Sequence, residues 1–217
     1  MLEAITGGLV VSCQAPDGHP LRSPDVIARL AQCAALGGAV AVRVNSPEDV
    51  RAVKAVVDLP VIGLHKVKAP DRYLITPHWH LIEDLAAAGA DVIAAEATGR
   101  GDLPVAELVQ RVHGLGLPLM ADVATEAQGL AAWEAGAQLV ATTLSGYTAD
   151  SPQGTQPDLA LVADLAAAGV RTVAEGRLAT TGHLRHAFAL GAFAVVVGTA
   201  ITDPLALTRG LVAATQR

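Results

Sequence analysis

Hydrophobic positions along the chain fall into two alternating textures. Amphipathic runs rich in Ala and Leu end at glycine, and a short run that is apolar at nearly every position follows. Gly37-Gly38-Ala39, Gly89-Ala90, Gly136-Ala137, Gly169-Val170 and Gly191-Ala192 all stand at this junction. Glycine there fits a left-handed helix C-cap, because without a Cβ the turned conformation carries no steric cost. The apolar runs over residues 40–44, 61–64, 91–95, 119–123, 139–143, 171–174 and 194–197 join 9–12 as eight predicted strands. Their hydrophobicity is continuous rather than alternating, which indicates strands covered on both faces, as in a parallel sheet. Helices are predicted over 24–36, 47–57, 79–88, 105–115, 126–135, 158–168, 182–190 and 204–214. Ser23-Pro24, Ser46-Pro47 and Asp203-Pro204 each set a capping residue before a proline at the first helical position.

Eight strand–helix units spaced by about 25 residues, with no linker between them, predict one α/β domain over residues 1–217, a closed (β/α)8 TIM barrel. The rival is an open doubly wound sheet. It would carry a Gly-rich dinucleotide fingerprint after the first strand, where Ser12-Cys13-Gln14-Ala15 stands instead.

Composition narrows the picture. With 52% hydrophobic and 17% charged residues the chain cannot be disordered, yet no apolar run reaches the ~20 residues of a membrane span. A net charge of −6 gives no footprint for nucleic acid or for an anionic membrane, so an anionic ligand must be held locally. The first residues include Glu3 and lack a basic leader, which predicts a cytoplasmic protein. Cys13 and Cys33 read as small buried hydrophobes rather than a disulfide or metal ligands. His78-Trp79-His80 lacks a third ligand at a useful spacing, so no metal site is expected. Apolar exterior helices such as 159–168 are compatible with a homodimer.

In a barrel of this kind the active site lies at the C-terminal ends of the strands. The polar residues there are, in order, Gln14, Arg43 with Asn45, Lys66, Glu96 with Thr98, Asp122, Thr143 with Ser145 and Tyr147, Glu175 with Arg177, and Gly198-Thr199. Lys66 is the most informative, one of three lysines beside twelve arginines, at the end of an apolar run. Apolar walls lower a lysine's pKa and fit it for proton transfer or Schiff-base chemistry. Glu175 is followed by Gly176, where a ligand can approach the backbone closely. Gly176 and Gly198-Thr199 fall in the loops after the seventh and eighth strands, where barrels often bind phosphate through backbone N–H groups.

Together these strand ends resemble those of the bacterial N-acetylmannosamine-6-phosphate 2-epimerases of sialic-acid catabolism. The resemblance runs through Arg43-Val44-Asn45, Pro60-Val61-Ile62-Gly63 leading to Lys66, Tyr73-Leu74-Ile75-Thr76-Pro77, Met120-Ala121-Asp122, Thr142-Thr143-Leu144-Ser145-Gly146-Tyr147-Thr148, Ala174-Glu175-Gly176-Arg177 and Val197-Gly198-Thr199-Ala200. It implies inversion at sugar carbon 2 without an organic cofactor, in amino-sugar catabolism. Lys66 would move the proton and Glu175 would be its acidic partner. Gln14, Arg43, Glu96, Asp122, Thr143, Ser145 and Tyr147 would bind the sugar, and Gly176, Arg177, Gly198 and Thr199 the phosphate. Two positions depart from the family pattern: Glu96 stands where an aspartate is usual, and Asp203 where an arginine is usual. A longer carboxylate at 96 would push a methylene into the sugar pocket. The alternatives are a Schiff-base aldolase using Lys66 and a sugar-phosphate-binding barrel without turnover.

Overall fold

The computed structural model describes residues 2–215. A single 3-10 turn, Leu2–Ile5, precedes the first strand. In chain order the elements are β1 (Leu9–Cys13), α1 (Pro24–Leu36), β2 (Ala41–Asn45), α2 (Pro47–Lys54), β3 (Val61–Leu64), β4 (Lys66–Lys68), β5 (Tyr73–Ile75), α3 (Trp79–Ala87), β6 (Val92–Glu96) and α4 (Val105–Gly114). There follow β7 (Leu119–Asp122), α5 (Glu126–Glu134), β8 (Leu139–Ala141), α6 (Leu159–Ala167), β9 (Thr172–Glu175), α7 (Thr181–Ala189), β10 (Ala194–Val197), α8 (Thr199–Thr202) and α9 (Pro204–Thr215). Eight strands close into a parallel barrel in the order β1-β10-β9-β8-β7-β6-β3-β2, while β4 and β5 form a separate antiparallel hairpin.

The predicted strands and helices are all present, with ends shifted by a few residues. Both faces of the strands are buried, as continuous hydrophobicity required. Along β6, Val92 and Ala94 belong to the cluster that fills the barrel, with Ile62, Met120 and Leu139. Ile93 and Ala95, between them in sequence, belong to the layer between strands and helices, with Leu85, Val109 and Val112. Gly38, Gly89, Gly136, Gly169 and Gly191 all take positive φ, from 80° to 99°, as expected of helix caps. Ser46 and Asp203 accept backbone N–H groups of Asp49 and Ala206 as caps, whereas Ser23 makes no side-chain cap.

Three features differ from expectation. The hairpin β4–β5 and the four-residue α8 were not legible as elements. Cys13 is buried at the end of β1, but Cys33 is exposed, because the buried stripe of α1 runs through Ile27, Ala28, Ala31 and Ala34 and misses it. Burial pushes the Cys13 thiol up to about 12, with Cys33 adding to the shift. Finally, α9 buries none of its residues and exposes Leu207, Leu211 and Val212. No described helix is long and apolar enough to cross a membrane.

Gly63 marks the tightest approach of a strand to its covering layer. A Cβ at this position would lie 2.8 Å from Ala90 Cβ and 3.3 Å from Leu85 Cδ2, and a methyl anchored to the backbone cannot rotate aside. Gly63→Ala is therefore expected to destabilise the fold by ~1–3 kcal/mol through overpacking. Circular dichroism melting should show a fall of about 2–4 °C for each kcal/mol.

Candidate active site

Strand ends and the hairpin together bound a cavity of about 580 Å³ at the C-terminal mouth of the barrel. Such a volume suits a small metabolite. Of the residues expected at the site, Gln14, Arg43, Lys66, Thr143, Tyr147, Glu175, Gly176, Arg177, Gly198 and Thr199 line it, together with Asn45, Arg72 and Tyr73.

Arg43 forms the floor. It projects from β2, is 1% exposed, and reaches across the barrel to three other strands or their extensions. Its Nη2 donates to Asp122 Oδ2 at the end of β7, at 2.5 Å. Its Nη1 donates to Thr143 Oγ1, at 3.1 Å, and to Glu175 Oε2 at the end of β9. Thr143 Oγ1 in turn donates to Asp122 Oδ1 at 2.6 Å and stands 3.0 Å from Glu175 Oε2. Thr142 latches the same region, its hydroxyl bonded to both backbone groups of Glu175. Complete burial holds the Asp122 carboxyl above the usual carboxylate range, against the opposing pull of Arg43 and Thr143.

Lys66 opens the hairpin directly after His65, and its backbone N–H is fixed by Asn45 Oδ1 at 2.8 Å. Its side chain is open to the cavity while protein encloses it on the other sides. Desolvation by that enclosure, aided by the nearby Arg43 cation and opposed by Asp122, pushes its pKa down to about 8.

Gln14 donates through Nε2 to Ser12 Oγ at 2.7 Å, and its buried Oε1 has no partner among the described residues, leaving an acceptor at the cavity wall. Arg177 follows Gly176 in a left-handed conformation, φ 58°. Its guanidinium lies over the Tyr147 ring, 5.3 Å from the centroid, and its Nε donates to Gln156 O at 2.7 Å. This placement depends on Gly146, since a Cβ there would collide with the Arg177 guanidinium. Asp203, the second departure from the family pattern, caps α9 and also lines the cavity, 3.3 Å from His19 Nε2.

Glu96, Asp122 and Ser145 do not line the cavity. Asp122 stands beneath Arg43, and Ser145 donates to Asp158 Oδ2 at 2.6 Å, the carboxylate that caps α6. Glu96 points at the hairpin: it accepts from both terminal nitrogens of Arg72, from the Ile75 N–H and from the Thr98 hydroxyl. Its burial would raise its pKa, but those donors hold it below the usual carboxylate range. The longer side chain thus reaches under the hairpin instead of extending into the sugar pocket. His78 and His80 stack with centroids 5.7 Å apart, and His78 pairs with Asp102 outside the cavity. Among the described residues no three His, Cys, Asp or Glu side chains are grouped to hold a metal ion.

A closed parallel barrel with a lysine, a glutamate and a buried arginine converging at its C-terminal mouth has the layout of a barrel enzyme. The family is fixed by comparison with known proteins. Residues 27–217 match the family model described as "Putative N-acetylmannosamine-6-phosphate epimerase". A protein of Caldanaerobacter subterraneus named "Putative N-acetylmannosamine-6-phosphate 2-epimerase" is 42% identical over 98% of this chain and 92% of its own length. One of the same name from Klebsiella pneumoniae is 45% identical over 90% of this chain and 84% of its own. The solved N-acetylmannosamine-6-phosphate 2-epimerase of Clostridium perfringens superposes with a TM-score of 0.93 at 35% identity, covering 99% of this chain and 96% of that one. The chain belongs to this epimerase family.

The floor of the site yields a stability prediction. Arg43→Met removes the counter-charge of a carboxyl that has no access to water. Unfolding in urea should show a loss of about 3–5 kcal/mol, the usual consequence of stranding one member of a buried pair.

Proposed function

We propose that this protein interconverts N-acetylmannosamine 6-phosphate and N-acetylglucosamine 6-phosphate by removing and returning the proton at carbon 2. The observation that carries the reading is the meeting of Lys66, Glu175 and Arg43 in one cavity within a member of the epimerase family. In the ring-opened sugar the carbon 2 hydrogen is acidified by the adjacent aldehyde. Neutral Lys66 takes that proton, the electron pair passes into an enolate, and the proton returns to the opposite face. The fixed cation of Arg43 lies close enough to the reacting region to favour developing negative charge. Glu175, held by Arg43 and the Thr142 latch, assists ring opening as the acidic partner. Gln14 and Tyr147 hold sugar oxygens. Gly176, Gly198 and Thr199 offer backbone N–H groups to the phosphate, with Arg177 beside them.

Family membership favours this reading over a Schiff-base aldolase or a binding protein without turnover. A phosphorylated sugar is confined by its charge to the cell interior, which supports the cytoplasm as the enzyme's compartment. The reading also includes a homodimer. Helix α9 spans twelve residues, buries none of them and carries exposed Leu207 and Leu211 four residues apart on one face. A helix of that length is marginal by itself in water, so a second copy of the chain is the natural cover for it. Light scattering on purified protein should give twice the chain mass, and Leu211→Glu should shift it toward the monomer.

Proton NMR in heavy water follows both the carbon 2 signal and epimer formation from N-acetylmannosamine 6-phosphate. Wild type should incorporate deuterium while forming the gluco epimer, and Lys66→Ala should lower turnover by at least ~10³-fold without loss of fold. Near-normal turnover by that variant would remove Lys66 from the mechanism, and a borohydride-trapped adduct on Lys66 would favour the aldolase. Because the amine must be neutral to accept a proton, kcat/KM should rise with pH and level off above about 8.

A further inference from the structure

Arg72 stands outside every strand end, at the base of the hairpin turn, yet its side chain reaches the cavity wall. Glu96 grips one edge of its guanidinium, with Nη1 donating to Oε2 at 3.0 Å and Nη2 to Oε1 at 2.9 Å. Nη1 also donates to Tyr73 O at 2.8 Å. Three of its five donors are thereby engaged. The Nε–H and the second Nη2–H have no partner among the described residues. The side chain of Glu96 is completely buried and itself fixed by Thr98 and the Ile75 N–H, so the guanidinium plane cannot swing away. What results is a rigid pair, neutral overall, that leaves two donors free on a residue lining the cavity.

The barrel order says which end of a ligand these donors face. The loops after β9 and β10 carry Gly176 and Gly198, and β3 and β6 lie three or four strands around the ring from them, on the opposite side. The hairpin follows β3, and Glu96 ends β6. A hexosamine 6-phosphate with its phosphate at the glycine loops therefore directs carbons 1 and 2 toward the hairpin, which also carries Lys66. Carbon 2 bears an acylamide, whose oxygen is a neutral acceptor. A guanidinium already neutralised by a carboxylate suits a neutral acceptor better than a second anion.

We propose that Arg72 is a substrate-binding residue whose free edge donates to the acyl oxygen at carbon 2, and that Glu96 is the positioning residue that presents it. The proposal rests on the sugar-phosphate reading above and extends it to the selection of the N-acyl group.

Isothermal titration with N-acetylglucosamine 6-phosphate and with glucose 6-phosphate, which lacks the amide, tests it alongside steady-state kinetics on N-acetylmannosamine 6-phosphate. Wild type should prefer the acetylated ligand by at least ~10-fold, the worth of one hydrogen bond to a charged donor. Arg72→Ala should lose that preference and raise KM by a similar factor. Arg72→Lys keeps the ion pair with Glu96, and hence the hairpin, but has no spare fork; it should lose the preference equally. Glu96→Gln, which frees the guanidinium, should weaken the preference without touching glucose 6-phosphate affinity. If Arg72→Lys turns over normally and keeps the acetyl preference, the proposal is overturned while the epimerase reading stands. If wild type binds neither sugar phosphate, both fall.

Discussion

The mouth of the barrel is organised around one buried cation. Arg43 leaves β2 and ties together the ends of β7 and β9 and the second residue after β8, so that four of the eight barrel strands meet at a single guanidinium. Beneath it the barrel interior is aliphatic, filled by side chains such as Ile62, Met120 and Leu139. A charge at that boundary has nowhere to recruit water, which is why Asp122 and Glu175 must both reach it. Buried pairs of this kind add little net stability, because desolvation offsets most of the attraction. What they give is direction: Glu175 is held in one orientation, and Arg43 contributes a fixed positive potential that also helps keep Lys66 below the ordinary lysine range.

The site has a second support of a different kind. The floor belongs to the barrel, whereas Lys66 and Arg72 ride on a hairpin laid over its edge. Three-residue strands paired only with each other are marginal by themselves. Glu96 makes up the deficit from below by accepting a backbone N–H of β5 and both ends of the Arg72 fork. The hydroxyl of Thr76 adds a bond to Ala94 O in β6 at 2.7 Å and accepts from the His65 N–H at 2.9 Å. The hairpin is therefore fastened to β6 at two points, and Lys66 inherits its position from both.

How far this was legible from sequence follows from where each element gets its stability. The barrel strands advertise themselves because both faces are buried, and the caps because glycine is required at positive φ. Residues at strand ends were found by the same rule, and most of them line the cavity. The rule failed where a side chain at a strand end turns away: Glu96, Asp122 and Ser145 serve other residues rather than the cavity. It also could not find Arg72, which belongs to no barrel strand. A signal was present, since the connection from Leu64 to Trp79 is far longer than the ~2–6 residues usual between a barrel strand and its helix. Its alternation of Lys66-Val67-Lys68 against Tyr73-Leu74-Ile75 reads as a hairpin once that length is taken as a demand for structure.

The cations around the cavity differ in how they are matched. Four cations line it in a chain whose net charge is −6. Arg43 is matched by Asp122 and Glu175, Arg72 by Glu96, and Arg177 donates to a carbonyl and lies over the face of Tyr147. Guanidinium groups do not give up protons near neutrality, so these three can position and polarise but cannot act as bases. Lys66 differs on both counts: its ammonium has no carboxylate within ion-pair distance among the described residues, and it is the one cation of the four that can become neutral. Had a carboxylate been paired with it, the charged form would have been favoured. The pairing of the arginines and the isolation of the lysine are thus two sides of the same arrangement.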